Sequence, residues 1–323
     1  MLSLKAEQNF YVAALDLGGT NAVCALVDQE GNLHFKEGWK TREFSSPEAL
    51  AQAVALWLKE KAQKPDILVL GMGVGAPSGN RQTGTLDFAP NLPWKGRIPL
   101  ARLISEATGL PCALDNDANA AAYGEWLFGG ARGLRDFVVI TLGTGVGSGI
   151  VCDGRMIYGH QALGAELGHV ILQPEGRLCG CGRRGCVEAY CSATGFMITF
   201  RELAHQEGFP ELAERVRSPW DAKNLADEGH SVARTAFRIT GEWLGLALAN
   251  CCAFSNPQAL FLTGGLVGAG EYLLQPTRSS FEKNVLSVYK DHTRIEISAL
   301  PGENAALLGA ASVFQKTRKK TEG

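Results

Sequence analysis

The chain carries one pattern twice: a short apolar run, a glycine-rich loop and a second apolar run. The first copy is Tyr11 to Leu17, then Gly18-Gly19-Thr20-Asn21, then Ala22 to Val27. The second copy runs from Phe137 to Cys152 around Gly143-Thr144-Gly145-Val146-Gly147. Short apolar runs separated by glycines are typical of two strands joined by a tight turn. The repeat indicates two related halves, although glycine-loop hairpins are common enough for the likeness to arise by chance.

Helical patterns alternate with these strands. Ser45 to Lys64 has apolar residues on one helical face and begins with a capping box, Ser45-x-x-Glu48. Further helices are expected at about 100–108, 118–128, 193–207, 212–217, 231–254 and 303–316, and further strands at 33–39, 67–74, 111–114, 259–262 and 295–299. Interleaved strands and helices predict the α/β class.

Polar side chains follow one of the predicted strands. Asp115-Asn116-Asp117 comes directly after Pro111 to Leu114 and directly before the alanine-rich helix from Ala118. Ligands of open α/β sheets bind at the carboxyl ends of the strands. Asp117 is therefore a candidate for chemistry, with the alternative that it simply caps the following helix.

The two glycine loops are candidates for phosphate binding. Neither has the Walker sequence, and neither opens a helix as a dinucleotide fingerprint does. Successive backbone N–H groups in such turns can form a concavity for an anion, and three threonines add hydroxyl donors: Thr20, Thr141 and Thr144. The alternative is a pair of ordinary hairpin turns. A third glycine segment, Thr263-Gly264-Gly265, follows a later strand. Together with the two loops it favours a nucleotide site.

A compact group of soft ligands lies between residues 169 and 186. One histidine and three cysteines can close around a single Zn²⁺, because thiolates and imidazole are ligands that zinc favours: His169, Cys179, Cys181 and Cys186. Glu166 and Glu188 flank this group and suggest a polar pocket beside it. The alternative is that these side chains bind no metal. The spacing exceeds that of a standard zinc finger, so DNA recognition is not indicated.

Composition narrows the class of protein. The net charge of −2 over 323 residues gives no general attraction to nucleic acid or to a membrane. Nine cysteines, six of them scattered, do not form the pattern of a disulfide framework. No signal peptide and no apolar run of about 20 residues is present. We therefore expect a soluble cytoplasmic protein.

Six motifs spread over nearly the whole chain together resemble the ROK family (repressors, open-reading-frame proteins and sugar kinases). They are Asp16-Leu-Gly-Gly-Thr-Asn21, Pro90-Asn-Leu-Pro-Trp94, Asn116-Asp-Ala-Asn-Ala-Ala-Ala-Tyr-Gly-Glu125, Thr141-Leu-Gly-Thr-Gly-Val-Gly-Ser-Gly149, Glu166-Leu-Gly-His169 and Cys179-x-Cys-Gly-x-x-Gly-Cys-x-Glu188. One departure is Ser78, where many relatives carry glycine, and it bears on hydroxyl specificity at that edge of the pocket.

The resemblance implies the two-domain hexokinase and actin-like ATPase (ribonuclease H-like) fold, with duplicated sheet domains and a cleft between them. The smaller domain would comprise residues 1–118 plus 303–323, because the C-terminal helix returns to it. The larger domain would comprise residues 119–302 and hold the zinc loop and the nucleotide site. The cleft is expected to close on the sugar.

The resemblance also implies an activity and a role for each candidate residue. The activity is ATP-dependent phosphorylation of glucose at its 6-hydroxyl by direct in-line transfer, with Asp117 as general base. Sugar hydroxyls would bind Asn91, Asn116, Asp117, Glu166, His169 and Glu188. Phosphates would lie against Gly18, Gly19, Thr20, Asn21, Thr141, Gly143, Thr144 and Gly145, with adenosine at Gly264 and Gly265. Asp16 would hold Mg²⁺ through water, and His169 would ligate a structural zinc and contact the sugar.

Several alternatives stay open at this stage. N-acetylglucosamine, N-acetylmannosamine, fructose or allose could replace glucose, and polyphosphate could replace ATP. A sugar-binding regulator is the alternative from a different class, but only residues 1–10 precede the first motif, too few for a DNA-binding domain. The family also implies a homodimer or homotetramer.

Overall fold

The computed structural model describes residues 9–63, 67–88, 91–300, 302 and 304–321, with side chains as far as residue 316. The chain divides into two compact units. The first comprises residues up to Gly133 together with Tyr158–Gly164 and the chain from Ala299 onward. The second comprises Leu134–Ile157 and Ala165–Ser298. Each unit contains one five-stranded sheet.

The sheet of the first unit is mixed. Its strands are β1 (Asn9–Leu17), β2 (Asn21–Val27), β3 (Leu33–Lys40), β4 (Ile67–Ala76) and, after the short ribbon β5 (Gly79–Asn80) and β6 (Thr85–Leu86), β7 (Cys112–Asn116). The spatial order is β3-β2-β1-β4-β7. β1, β4 and β7 are parallel, so their carboxyl ends meet at one edge, where Asp16 pairs in register with Gly75 and Gly75 with Asp115.

Three helices follow strands of this sheet: α1 (Pro47–Lys61), α2 (Leu100–Thr108) and α3 (Asp117–Leu127). α1 is capped by Ser46, whose hydroxyl oxygen accepts a hydrogen bond of 3.2 Å from the Ala49 N–H. The capping box predicted at Ser45 is therefore wrong: the cap is Ser46, because Pro47 occupies the first helical position, and Ala49 three residues on has no side-chain acceptor to complete a box. The predicted end of this helix, Lys64, lies outside the described residues.

The second unit has a sheet of the same design. Its strands are β8 (Phe137–Leu142), β9 (Val146–Cys152), β10 (Arg155–Met156), β11 (Ala259–Thr263) and β12 (Arg294–Ile297), in the order β10-β9-β8-β11-β12. In both sheets a glycine loop joins two antiparallel strands, and the first strand of that hairpin also pairs in parallel with a later strand. The duplication inferred from the repeat is present in the strand order.

Helices enclose the second sheet and supply most of its core. They are α4 (Glu188–Cys191), α5 (Ala193–Gln206), α6 (Pro210–Arg215), α7 (Pro219–Asp227), α8 (Ser231–Ser255) and α9 (Glu271–Asn284). The sequence patterns did not predict α4, α7 and α9. Six fully buried phenylalanines, four of them in this core, are among the largest enclosed side chains: Phe137, Phe196, Phe200, Phe237, Phe261 and Phe281.

The last helix, α10 (Ala305–Thr321), belongs to the first unit, as the resemblance implied. Its predicted first residue, Glu303, lies outside the described residues. α3 and α10 approach closely because each presents a glycine at the crossing: a Cβ on Gly124 would lie 3.1 Å from the Gly309 backbone. This packing holds α3 in the first unit, so the boundary expected at residue 118 falls at residue 133 instead. Residues 158–164 also join this unit, which the sequence did not indicate.

Close packing of α10 on β4 makes one stability prediction. A Cβ on Gly73 would lie 1.9 Å from the carbonyl oxygen of Ala310, and neither backbone can move easily. We expect Gly73→Ala to lower the free energy of unfolding by about 3 kcal/mol, the upper end of the usual cost of overpacking. Urea unfolding measures this change. Gly38→Ala is the matched control, because Gly38 lies in edge strand β3 of the same sheet and its added Cβ would be 3.7 Å from the nearest atom. Equal losses in the two variants would contradict the prediction.

None of the helices traced in the described part of the chain combines the length and the apolar character needed to span a bilayer.

Candidate functional site

Two carboxylates meet at the carboxyl edge of the first sheet. Asp16 is near the end of β1, and Asp117 begins α3 directly after β7. Burial, and secondly the charge of Asp117, raise the pKa of Asp16 to about 6. Desolvation also raises the pKa of Asp117. Part of the residue is exposed to solvent, but protein atoms surround its carboxylate closely enough to disfavour the charged form. Acid groups with raised pKa values at strand ends are candidates for binding cations and accepting protons.

The capping residue of α3 is Asn116, not Asp117. The Asn116 side-chain oxygen accepts a hydrogen bond of 2.9 Å from the Ala118 N–H, and one carboxylate oxygen of Asp117 accepts from the same group at 2.9 Å. Asp117 therefore stands in the first turn, where the positive end of the helix dipole favours its ionised form. The alternative that Asp117 itself caps the helix is therefore wrong.

The first glycine loop is braced by two residues distant in sequence. The fully buried Thr41 donates its hydroxyl to the Gly18 carbonyl at 2.7 Å, and its N–H bonds the Thr20 carbonyl at 3.0 Å. Asn91, a predicted sugar ligand, lies so close to the loop that a Cβ on Gly19 would be 2.7 Å from its carbonyl oxygen. The structure thus brings Asn91 to the loop that carries Gly18 to Asn21. No sequence motif pointed to Thr41.

Ser78, the one departure from the family motifs, has an unusual backbone conformation. Its φ is +54°, in the left-handed region that glycine adopts without strain and that other residues adopt at a cost. The glycine that the family resemblance implies at this position would fit that backbone conformation. Hydroxyl specificity at Ser78 stays a prediction.

The raised pKa of Asp16 predicts a pH-dependent stability in Mg²⁺-free solution. A carboxyl group with a raised pKa stabilises the folded state while it is protonated, below about pH 4, and this contribution is lost as the pH rises through about 6. Asp16→Asn cannot ionise, so we expect it to be more stable than wild type by about 1–3 kcal/mol at pH 7.5 and nearly equal at pH 4. Urea unfolding at both pH values measures the difference. A stability gap that does not change with pH would contradict the assignment.

The second glycine loop, Gly143 to Gly147, is held by the start of α5. The Ala193 N–H bonds the Gly143 carbonyl at 2.8 Å, and the Thr194 hydroxyl donates to the Thr144 carbonyl at 2.9 Å. Inside the hairpin, the Gly147 N–H donates to the Thr141 hydroxyl at 3.2 Å. These hydrogen bonds to the loop carbonyls restrict the conformation of the loop. A phosphate-binding loop requires such a fixed conformation.

The third glycine segment lies beside this loop. Gly264 has φ of +100°, and a Cβ on it would lie 2.6 Å from the carbonyl oxygen of Leu142. Only glycine fits such an approach. The structure therefore places Gly264 and Gly265 next to the residue that precedes Gly143, because β11 and β8 are parallel neighbours.

The four predicted zinc ligands converge. The candidate ligand atoms of His169, Cys179, Cys181 and Cys186 all lie within 4.8 Å of one another. The sulfurs of Cys181 and Cys186 are 3.7 Å apart, and Cys179 Sγ is 3.8 Å from His169 Nδ1. Tetrahedral zinc with bonds of about 2.3 Å to sulfur places its ligand atoms about 3.8 Å apart. The donor set and its spacing therefore fit Zn²⁺, with Nδ1 as the histidine ligand.

The backbone around these cysteines forms a tight knuckle. Gly182 and Gly185 have φ of +86° and +78°, and a Cβ on Gly185 would lie 1.8 Å from the Gln173 carbonyl oxygen. The Cys179 N–H bonds the Arg183 carbonyl at 2.8 Å. A hydrogen bond from the Arg183 backbone N–H is the main cause that lowers the pKa of Cys181 to about 6. The lowered pKa of Cys181 favours its thiolate, the form that binds metal.

The two flanking glutamates have different surroundings. Glu166 is exposed and opens the short 3₁₀ turn Leu167–His169, so it shares one turn with His169. Glu188 begins α4, and its carboxylate accepts a hydrogen bond of 3.0 Å from the Val146 N–H of the second glycine loop. Its other oxygen lies 3.5 Å from Cys179 Sγ. Glu188 thus links the knuckle to the glycine loop, a contact that the motifs did not predict.

Two equivalent sheets, each with a glycine loop at the end of its first hairpin strand, define the hexokinase and actin-like ATPase fold class. The chain belongs to the ROK family, whose profile matches residues 12–317. The fold class and the family expected from the motifs are therefore confirmed.

Curated relatives and solved structures agree with this assignment. Glucokinase of Streptomyces coelicolor is 35% identical over 312 residues, which are 94% of this chain and 96% of that protein. N-acetylmannosamine kinase of Salmonella heidelberg is 32% identical over 308 residues, 94% of this chain and 97% of that protein. The structure of a ROK family glucokinase from Streptomyces griseus in complex with glucose and AMPPNP has a TM-score of 0.79 and 31% identity, and the match covers 94% of this chain and 98% of that one.

Proposed function

We propose that this protein transfers the γ-phosphoryl group of ATP to the 6-hydroxyl of glucose. The observation that carries the proposal is the placement of Asp117, a carboxylate with a raised pKa at the carboxyl edge of the first sheet, beside Asp16. The identity of 35% to a glucokinase supports glucose as the acceptor.

The chemistry assigned to Asp117 is general base catalysis. Its carboxylate accepts the proton of the sugar 6-hydroxyl as the oxygen attacks the γ-phosphorus in line. The bond from that phosphorus to the bridging oxygen breaks, and ADP leaves with the electron pair. A base in this position contributes roughly 10²–10⁴-fold to the rate. Most of the remaining acceleration comes from positioning and from charge neutralisation at the phosphates.

The glycine loops and Asp16 are assigned to the nucleotide. Backbone N–H groups of Gly18 to Asn21 and of Gly143 to Gly145 bind phosphate oxygens, with the hydroxyls of Thr20, Thr141 and Thr144, and Gly264-Gly265 line the adenosine. Carboxylate oxygens are the ligands that Mg²⁺ prefers, and the neighbouring Asp16 and Asp117 fit this ion, which Asp16 would hold through a water molecule. When bound with ATP, Mg²⁺ neutralises charge that develops on the phosphates.

Each side chain assigned to hydroxyl recognition has its own local support. Asn116 uses its oxygen to cap α3, so its amide Nδ2 is the atom that donates to the sugar. Asn91, Glu166 and Glu188 supply further polar contacts. Nδ1 of His169 lies toward the cysteines. We therefore assign the other ring nitrogen, Nε2, to the sugar. A metal on Nδ1 would fix this tautomer and the orientation of the ring.

The acceptor is tested by a coupled assay of ADP release over a panel of glucose, N-acetylmannosamine, N-acetylglucosamine and fructose, with ATP and polyphosphate as donors. We expect kcat/KM for glucose to exceed that for each other sugar at least tenfold, a difference of about 1.4 kcal/mol in transition-state binding. N-acetylmannosamine is the second candidate, because a kinase for it is 32% identical. A preference for that sugar would overturn the choice of glucose, and a protein that binds sugar without releasing ADP would instead be a regulator.

The cytoplasmic location and the homodimer or homotetramer implied by the resemblance stay predictions.

A further inference from the structure

A fully buried carboxylate stands two residues before the proposed base, and the mechanism above does not use it. Asp115 is the penultimate residue of β7, and none of its surface is exposed. Burial is the main cause that raises its pKa, while its hydrogen bonds and the charge of Arg81 oppose the rise. An acid is expensive to bury, so its partners are informative.

Those partners join the end of β7 to the first turn of α3. One oxygen of Asp115 accepts from the Asn116 N–H at 2.8 Å and from the Asn119 side-chain amide at 3.0 Å. Asn119 is itself buried, with 5% of its surface exposed. Because the two donors lie on either side of Asp117 in the chain, the carboxylate clamps the turn that presents this residue.

The other oxygen of Asp115 is held by a tyrosine from a distant segment. The Tyr158 hydroxyl donates to it at 2.5 Å, and the Tyr123 hydroxyl lies 2.9 Å from the Tyr158 hydroxyl. Burial, and next the charge of Asp115, raise the pKa of Tyr158, so the phenol stays protonated and remains a donor. Tyr158 belongs to residues 158–164, the short segment that joins the first unit.

We propose that Asp115 and Tyr158 are positioning residues for phosphoryl transfer, which fix the Asn116–Asp117 turn through a buried carboxylate clamped on both of its oxygens. This inference rests on the proposed role of Asp117 and extends it to two residues to which the proposed function assigns no contact with the sugar or the nucleotide. Hydrogen bonds to a buried carboxylate are strong and directional, so the clamp restricts the backbone on both sides of Asp117. Small displacements of a base reduce kcat more than they reduce substrate binding.

Tyr158→Phe tests the clamp, with Tyr123→Phe as the matched control. Both changes remove one phenolic oxygen from the same network, but only Tyr158 touches Asp115. We expect Tyr158→Phe to lower kcat about tenfold with KM for sugar and ATP changed less than twofold, and Tyr123→Phe to lower kcat less than twofold. Equal effects of the two variants, or a loss that appears only in KM, would overturn the proposal.

The role of Asp115 is tested by comparing Asp115→Asn with Asp115→Ala. Asparagine keeps an oxygen for the Asn116 and Asn119 donors and can donate its own amide to the Tyr158 oxygen, whereas alanine removes every bond of the clamp. We expect Asp115→Asn to retain at least tenfold more kcat than Asp115→Ala. If Asp115→Ala does not fold, the comparison of the two tyrosine variants decides alone.

A readout without turnover separates this inference from the proposed activity. Hydrogen–deuterium exchange of the peptide spanning residues 112–123 is expected to become about tenfold faster in Tyr158→Phe and to stay unchanged in Tyr123→Phe. If the wild type phosphorylated no sugar but exchange changed in this way, the proposed function would fail and the clamp would stand. If the wild type were active and exchange did not change, the clamp would fail alone.

Discussion

Asp117→Asn lowers kcat for sugar phosphorylation by about 10²–10⁴-fold and leaves sugar binding nearly unchanged. The amide has the shape of the carboxylate and can still accept the Ala118 N–H bond at the start of α3, but it cannot take up the proton of the attacking hydroxyl. Steady-state kinetics measure the loss of kcat, and calorimetry measures the dissociation constant of glucose. A raised pKa of Asp117 also predicts that wild-type activity falls on acidification earlier than an ordinary aspartate would cause.

The control for this variant is a second aspartate in the first turn of a helix. Asp221 of α7 accepts hydrogen bonds from the Ser218 and Arg217 N–H groups at 3.0 and 3.1 Å. Asp221→Asn should reduce thermal stability slightly by weakening this cap and leave kcat unchanged. Near-normal turnover in Asp117→Asn would refute its role as general base, because an amide cannot take up the proton of the attacking hydroxyl.

Local patterns were sufficient for most of the fold. The glycine hairpins were predictable because apolar runs and glycines are short-range signals, and β8 has the predicted bounds, Phe137–Leu142. α7 also had a local signal in the sequence, since Ser218 and Asp221 form a capping box and Pro219, directly after Ser218, begins the helix.

α9 shows where local patterns fail. It contains Pro276 in its interior, which argues against a helix on propensity alone. The helix forms because α8 offers Gly241 and Gly245 at the crossing: a Cβ on Gly241 would lie 2.7 Å from the Leu273 carbonyl oxygen, and one on Gly245 would lie 2.4 Å from that of Thr277. Tertiary packing thus overrides propensity, and only the folded chain shows it.

The candidate site also has features with a signal in the sequence and features that only the folded chain shows. Asp117 was predictable because ligands bind at the carboxyl ends of parallel strands, and Asp16 followed from the resemblance to the family. The grouping of His169 with three cysteines was predictable because these residue types are chemically specific. The bonds from Val146 to Glu188 and from Tyr158 to Asp115 join residues 42 and 43 positions apart. Neither pair has a local signal in the sequence, so both required the structure.

Cys181→Ala removes zinc from the protein and weakens its affinity for glucose. Binding of structural zinc contributes on the order of 10 kcal/mol to small metal-bound folds, and the loss of one of four ligands removes most of the advantage of a closed site. Cys179 lies 3.8 Å from His169 Nδ1 and 3.5 Å from a Glu188 oxygen, so a change in the knuckle reaches both proposed sugar contacts.

Elemental analysis should find about one zinc per chain in the wild type and in Cys152→Ala, and far less in Cys181→Ala. Cys152 is the matched control because it is an exposed cysteine of the same unit that lies at the end of β9, outside the ligand group. We expect KM for glucose to rise at least tenfold in Cys181→Ala, with a smaller change in KM for ATP, since the start of α5 still holds the second glycine loop through Ala193 and Thr194. Metal-free protein with an unchanged KM for glucose would show that sugar binding does not depend on the zinc knuckle, and the contact of His169 with the sugar would then need no metal to orient it.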